Sequence, residues 1–266
     1  MKLCRFQLLD STKGHAGAAG AQVFSGIVES GTVFEIRGEL TGSRERTGRK
    51  FAASEVKFLA PAVPTKIVGV GRNYREHAKE FNNPVPKEPI IFLKPPSSII
   101  APEDPIILTP LSQRVEYEGE IAVVISKRCY HVGQNEDVNQ YILGYTPLND
   151  VTARDLQRAD VQWIRAKGFD TFCPFGPLLE TDHVTPDTKV ETLVNGEIKQ
   201  SATVADLIFP IDVLIRWITA CMTLEPGDVI ATGTPGGVGP IVAGDVVEVR
   251  VSGVGTLRNP VVAPKD

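Results

Sequence analysis

The stretch from Arg114 to Ser126 reads R-V-E-Y-E-G-E-I-A-V-V-I-S and constrains this chain more than any other. Its second half, Ile121 to Ile125, is an apolar run rich in β-branched residues, the composition of a buried strand. Its first half places Glu116, Glu118 and Glu120 at every second position. Successive strand side chains point to opposite faces, so all three carboxylates project from one side. Like charges ~7 Å apart repel by about 2–3 kcal/mol per pair at an effective dielectric of ~20. A cation set among them removes that penalty, which points to a divalent metal held by two of these carboxylates and a third from elsewhere. A solvated acidic face ahead of the buried run fits the same spacing, and spacing alone leaves both readings open.

The rest of the composition narrows the function classes. With 266 residues and a formal net charge of −4, the chain can bury a sizeable core as one large domain or a large one with a small companion. No basic face or stripe is present, which argues against a nucleic-acid partner. No run approaches the roughly 18 apolar residues of a membrane span. The opening M-K-L-C-R-F-Q-L-L-D-S-T lacks the apolar segment of a secretory signal. Cys4, Cys129, Cys173 and Cys221 are far apart with no C-x-x-C pair, so they read as reduced thiols in a cytoplasmic protein.

Along the chain, strand-like runs at Lys2–Leu9, Gln22–Glu29 and Thr32–Ile36 form a small β meander, with 41–50 as a loop. Pro61 and Pro64 mark a linker, which sets a small N-terminal β domain at 1–65 and a second domain at 66–266. Ile67–Val70 and Ile90–Leu93 read as strands. Between them G-R-N-Y-R-E-H-A-K-E-F opens a short helix, with Asn73 and Glu76 spaced as a capping-box variant. T-A-R-D-L-Q begins another helical turn, with Thr152 and Asp155 as cap candidates. Asn195-Gly196 suits the type I′ turn of a hairpin. Phe209-Pro210 opens the clearest helix, where Val213, Leu214, Trp217, Ile218 and Cys221 recur at helical spacing as a core stripe. Further strands follow at 229–232, 246–251 and 255–262. The expected class is α+β and β-dominated.

Six separate motifs then resemble, in order, the fumarylacetoacetate hydrolase family: G-R-N-Y-R-E-H-A-K-E (71–80), F-L-K-P (92–95), Y-E-G-E-I-A-V-V-I (117–125), N-D-V-T-A-R-D-L-Q (149–157), R-A-K-G-F-D-T-F-C-P (165–174) and T-G-T-P-G-G-V-G (232–239). The N-terminal segment is similar to the small β domain of the family's bacterial two-domain members. The resemblance implies a rolled, mixed β-sheet and a homodimer. It also implies a metal site of Glu118, Glu120 and Asp150, with Glu116 outside it. An all-carboxylate set selects a hard ion, Mg²⁺ first, then Mn²⁺ or Ca²⁺.

His77 and Glu80 lie three apart, on one helical face. An exposed helix with incidental charges carries the same spacing, and the resemblance turns the pair into a dyad in which Glu80 orients a basic His77. Lys94 and Lys167 sit in apolar stretches, where a lysine is paired or used. Either could bind a substrate carboxylate or oppose charge on an enolate, and a salt bridge to the acidic cluster is the alternative; with the resemblance, Lys167 is assigned to the chemistry and Lys94 to substrate. Arg72, Gln157 and Thr234 are further candidates for holding substrate oxygens. Arg154 and Asp155 read equally well as capping or surface-pairing residues. The Gly-rich T-G-T-P-G-G-V-G lacks the G-K-[ST] of a phosphate loop. His15 and His131 fall in loop-like contexts. The resemblance implies an enzyme acting on small 2-oxo acids, most simply hydrolysis of a carbon–carbon bond in acylpyruvate-type (2,4-dioxo acid) substrates such as a fumarylpyruvate-like compound. Oxaloacetate decarboxylation, isomerisation of 2-hydroxyhepta-2,4-diene-1,7-dioate and a non-catalytic metal-binding scaffold are the alternatives. Aromatic catabolism is the setting the family implies.

Overall fold

The computed structural model describes residues 1–9, 22–182 and 184–264, so His15 lies outside the described residues. The protein is β-dominated with few helices, the α+β class expected. One sheet of 11 strands runs through the molecule. Its centre is the order Ile142–Asn149, Gly119–Ile125, Val229–Ala231, Ile67–Gly71, Ile90–Lys94. Val229–Ala231 and Ile67–Gly71 run parallel, and the other neighbours in that set are antiparallel. The N-terminal strands extend the same sheet, because Lys2–Leu8 pairs with Leu179–Glu180. A second sheet of 5 strands contains the hairpin Lys189–Val194 and Glu197–Thr203. Its turn residues Asn195 and Gly196 both have positive φ, 52° and 81°, as a type I′ turn requires.

The strand Gly119–Ile125 is buried on both faces, which is why its apolar run is unbroken. Ile121, Val123 and Ile125 pack with Leu214, Ile215 and Ile218 of the helix Ile211–Cys221. Ala122 and Val124 face the other way, toward Leu3, Leu148 and Phe175. Full burial of each such aliphatic side chain contributes roughly 1.5–3 kcal/mol. Gly119 lies where the two sheets meet. A Cβ there would come within 1.8 Å of Thr192 Oγ1, so the residue between the two acidic side chains has to be glycine.

Several local expectations change. The polar 41–50 stretch contributes to the strand Glu45–Ala52, whose residues are mostly exposed; an edge strand solvated on both faces carries no alternation to read. The strand Ile142–Asn149 is missed for a different reason: it is central and buried, and Gly144 and Pro147 interrupt its apolar run. The helix Arg75–Glu80 has no side-chain cap. Asn73 instead donates to Thr232 O (2.8 Å) and Phe209 O (3.1 Å) and accepts from Phe209 N–H (2.8 Å), tying three segments together. Nor does a side chain cap the helix Arg154–Ala159: Thr152 Oγ1 donates to Asp150 O, and Asp155 receives Ser112 Oγ and the Gln113 N–H. On the Ile211–Cys221 helix the buried stripe is Leu214, Ile215, Ile218 and Thr219, while Val213, Trp217 and Cys221 are exposed. Periodicity locates that helix but sets its stripe one position off. The remaining cysteines are free and buried. Among the described residues no helix is long and apolar enough to cross a membrane.

Asp228 clamps the start of the two parallel strands. Its carboxylate accepts the Thr65 N–H and hydroxyl, the Lys66 N–H and the Glu225 N–H, and pairs with the Lys66 ammonium. Burial disfavours its charge, but the Glu225 N–H and the Lys66 and Thr65 bonds outweigh that and hold its pKa below 3.8. The folded pKa lies under the unfolded one, so the stabilisation is present above ~4 and is lost as pH falls through the folded value. Asp228→Asn is therefore expected to cost about 2–4 kcal/mol in urea denaturation at pH 7. The gap to wild type should narrow below pH ~4.

Candidate active site

Both parallel strands and the acidic strand deliver their ends to one place. Glu118 immediately precedes Gly119–Ile125, Glu120 is its second residue, and Asp150 follows the end of Ile142–Asn149. Cross-bonds lock this corner: Asp150 N donates to Glu118 O (2.8 Å) and Glu118 N to Asn149 Oδ1 (3.0 Å). The three side chains are buried, and each offers an oxygen within 4.8 Å of the others. The same-face reading of Glu118 and Glu120 thus yields a real cluster, completed by Asp150.

Cations crowd two of the three. Lys167 Nζ lies 2.6 Å from both Glu118 Oε2 and Asp150 Oδ2. Lys94 Nζ lies 2.6 Å from Asp150 Oδ1 and also donates to Lys167 O. Arg154 donates to Glu118 Oε1 and to Glu116 Oε2, and Arg114 answers the other Glu116 oxygen. Burial opposes ionisation of Glu118, but Lys167 and Arg154 overcome it and press its pKa well below the carboxylate range. For Lys167, burial works against the charge and Asp150 and Glu118 more than restore it, so its pKa is raised.

Glu120 stands apart. It accepts the Gly233 N–H at 2.7 Å, and among the described residues no cation reaches it within ion-pair distance. Gly233 adopts a φ of 107°, and a Cβ there would meet Asn73 Cβ at 2.6 Å, so only glycine brings this N–H to the carboxylate. Burial first, then Asp150 and Glu118, push the Glu120 pKa well above the carboxylate norm. The cluster lacks positive charge at this residue. An all-oxygen donor set with one uncompensated buried carboxylate fits a hard divalent cation.

A cavity of about 330 Å³ opens beside the cluster. Of the candidates from sequence, His77, Glu118, Lys167, Arg72, Gln157 and Thr234 line it. Glu120, Asp150 and Lys94 stand behind that lining, buried to 1 % exposure each. The Glu80 carboxylate is 3.6 Å from His77 Nδ1, outside hydrogen-bond reach but close enough to bias the ring electrostatically. Burial opposes the Glu80 charge, yet His77 and the Gly237 N–H hold its pKa below the usual value. Thr234 Oγ1 donates to Gly119 O (2.9 Å) and accepts from Gln200 Nε2 (2.8 Å), so its hydroxyl is engaged with the fold. Gln157 Oε1 accepts from Arg154 Nη1.

The family follows from comparison of this chain with known proteins. The sequence model described as fumarylacetoacetate (FAA) hydrolase C-terminal matches residues 66–262, and an Rv2993c-like N-terminal model matches residues 1–61. The chain belongs to the fumarylacetoacetate hydrolase family. Among its relatives, the human mitochondrial oxaloacetate tautomerase FAHD2A is 46% identical over 222 residues, covering 79% of this chain and 70% of that protein. The crystal structure of 5-carboxymethyl-2-hydroxymuconate delta-isomerase from Mycobacterium smegmatis superposes with a TM-score of 0.87 at 43% identity, over 99% of this chain and 100% of that one. The fumarylacetoacetate hydrolase of the psychrophile Exiguobacterium antarcticum gives 0.85 at 35% identity, over 99% of each chain. These family members are enzymes, and they span tautomerase, isomerase and hydrolase chemistry.

Sequence reasoning passes over Arg154, which is 3 % exposed, bridges Glu116 and Glu118 and lines the cavity. A signal exists: Glu116 shares a strand face with Glu118, so two buried acids in a row call for a guanidinium. The aromatic lining of Phe81, Phe92 and Trp163 escapes as well, since those residues lie far apart in sequence. Arg154→Met removes one of the two cations on each of two buried carboxylates, leaving Arg114 on Glu116 and Lys167 on Glu118. It is expected to cost about 3–5 kcal/mol in urea denaturation; a neutral result would mean that Arg114 and Lys167 alone hold the two carboxylates.

Proposed function

We propose that this protein is a metal-dependent hydrolase that cleaves a carbon–carbon bond in acylpyruvate-type 2,4-dioxo acids. The observation that carries this reading is the meeting, on one cavity, of the three-carboxylate cluster, the buried Lys167 and His77 backed by Glu80. Glu118, Glu120 and Asp150 would hold the ion, Mg²⁺ by preference. When bound, it supplies charge for chelating the 2-oxo acid head and for steadying negative charge that develops there.

His77 is the general base. With Nδ1 turned to Glu80, Nε2 is the nitrogen left to take a proton from water, whose oxygen then bonds to the distal carbonyl carbon. The Glu80 carboxylate stabilises the imidazolium so formed. The bond between the acyl carbon and the pyruvate methylene breaks, its electron pair leaves with the pyruvate fragment as an enolate, and His77 returns the proton to carbon. Lys167, already charged beside Glu118 and Asp150, faces that developing charge. The Lys167 ammonium lies over the Phe92 ring, 5.0 Å from its centroid, a cation–π contact that helps hold it there. Lys94 acts through Asp150, which it holds in place.

A second reading is isomerisation or tautomerisation of a 2-oxo acid, favoured by the names of the isomerase and tautomerase relatives. It shares the enolate and needs no activated water. Oxaloacetate decarboxylation shares both properties. His77→Ala should lower acetylpyruvate cleavage by ~10²–10⁴-fold while leaving oxaloacetate decarboxylation largely intact. Equal loss of both, measured as pyruvate released, contradicts the assigned role.

The metal assignment has a test that needs no turnover. Glu120→Gln removes the uncompensated charge, so its melting temperature in EDTA should equal or exceed that of wild type. Saturating Mg²⁺ should raise the wild-type melting temperature, by linkage worth about 2.7 kcal/mol at 100 times Kd, and leave the variant unmoved. An intact Mg²⁺ response in the variant takes Glu120 out of the ligand set.

A further inference from the structure

Two guanidiniums on the 330 Å³ cavity, those of Arg72 and Arg158, have no carboxylate partner among the described residues. Arg72 follows the strand Ile67–Gly71, and Arg158 lies on the helix Arg154–Ala159. The other fixed cations there are already committed: Lys167 to Glu118 and Asp150, Arg154 to Glu116 and Glu118. Among the described residues no Asp or Glu oxygen stands within 4.0 Å of Arg72 or Arg158. The Arg72 guanidinium instead sits 5.9 Å from the centre of the Trp163 ring, which packs against Phe92 at 5.6 Å. Arg72 also holds a φ of 56°, the left-handed region where glycine or asparagine sits with less strain.

Near this cavity the acids and bases balance except at two points. Among the described residues Glu120 lacks a cation, and the two arginines on the cavity wall lack an anion. A metal-chelated 2-oxo acid head meets the first need and leaves the second. The guanidinium fork matches a planar carboxylate bidentately. At about 330 Å³ the cavity is at the small end of ligand pockets, which suits a short acid.

We propose that Arg72 and Arg158 form a second anion subsite that holds the far carboxylate of a 2-oxo dicarboxylate, with Trp163 and Phe92 covering the carbons between the two ends. The inference rests on the 2-oxo acid reading for the position of the first carboxylate. It specifies that the substrate is anionic at both ends, and it names residues outside the metal cluster and the dyad as the selectors.

The test is calorimetric titration, in Mg²⁺, of a matched pair: 2-oxoglutarate and 2-oxopentanoate, equal in chain length and differing by the far carboxylate. Wild type should bind the dicarboxylate about 10- to 100-fold more tightly. In Arg158→Gln and in Arg72→Gln that preference should shrink to within ~3-fold, with Lys at either position keeping part of it. Arg158 is exposed, so its variant folds even where Arg72→Gln does not. No preference in wild type, or a preference unchanged in Arg158→Gln, overturns the subsite. A parallel assay of fumarylpyruvate and acetylpyruvate separates the two claims. If wild type cleaves neither, the hydrolase reading fails and the binding pair still decides the subsite. If it cleaves both and the variants leave the ratio of their kcat/KM values unchanged, the subsite alone fails.

Discussion

Burying three carboxylates within one ion's reach of each other is the constraint on which the rest of this structure depends. Removing a single ionised carboxylate from water costs several kcal/mol even after relaxation, and neighbours of like charge add to it. The fold responds by aiming Lys94, Lys167 and Arg154 at the cluster from three different segments. They satisfy Asp150 and Glu118 and stop short of Glu120. The imbalance that remains is the physical content of the claim that a divalent ion belongs there. It also explains why these lysines are buried to within 2 % exposure in surroundings that would otherwise expel them.

The central sheet converts that electrostatic arrangement into a fixed geometry. Two parallel strands, clamped at their start by Asp228, send Arg72, Asn73 and the Thr232–Thr234 turn to the same end. The antiparallel strand between them and Ile142–Asn149 begins at that end, so Glu118 and Glu120 start where the parallel strands finish. Asn73 then ties the turn to Phe209, ahead of the long helix. Chemistry set at strand ends on a two-face-buried sheet is held by backbone pairing, which is stiffer than a loop of equal length.

Much of this is legible in the order of the amino acids. The alternation of Glu116, Glu118 and Glu120 marks a shared face, and the β-branched run after it marks a buried strand. The Asn195-Gly196 pair announces its turn. What stays hidden is what depends on contacts distant in sequence. Asn73 has the spacing of a helix cap, but its amide is worth more bridging Thr232 and Phe209. Arg154 looks like a surface residue until Glu116 is seen to be fully buried across from it. Lys94 reads in sequence either as a substrate ligand or as a salt bridge to the acidic cluster, and only the folded chain decides between them, with its ammonium on Asp150 and the Lys167 carbonyl. The strand Glu45–Ala52 escapes because a solvated edge carries no period-two signal.

The most direct measurement of the central claim is the anomalous diffraction of crystals soaked in Mn²⁺, an ion with the same oxygen preference as Mg²⁺. One strong peak is expected, touched by Glu118, Glu120 and Asp150, with Glu120 no longer lacking a cation. A map in which those three side chains hold only Lys94, Lys167 and Arg154, with no peak between them at saturating Mn²⁺, would contradict it.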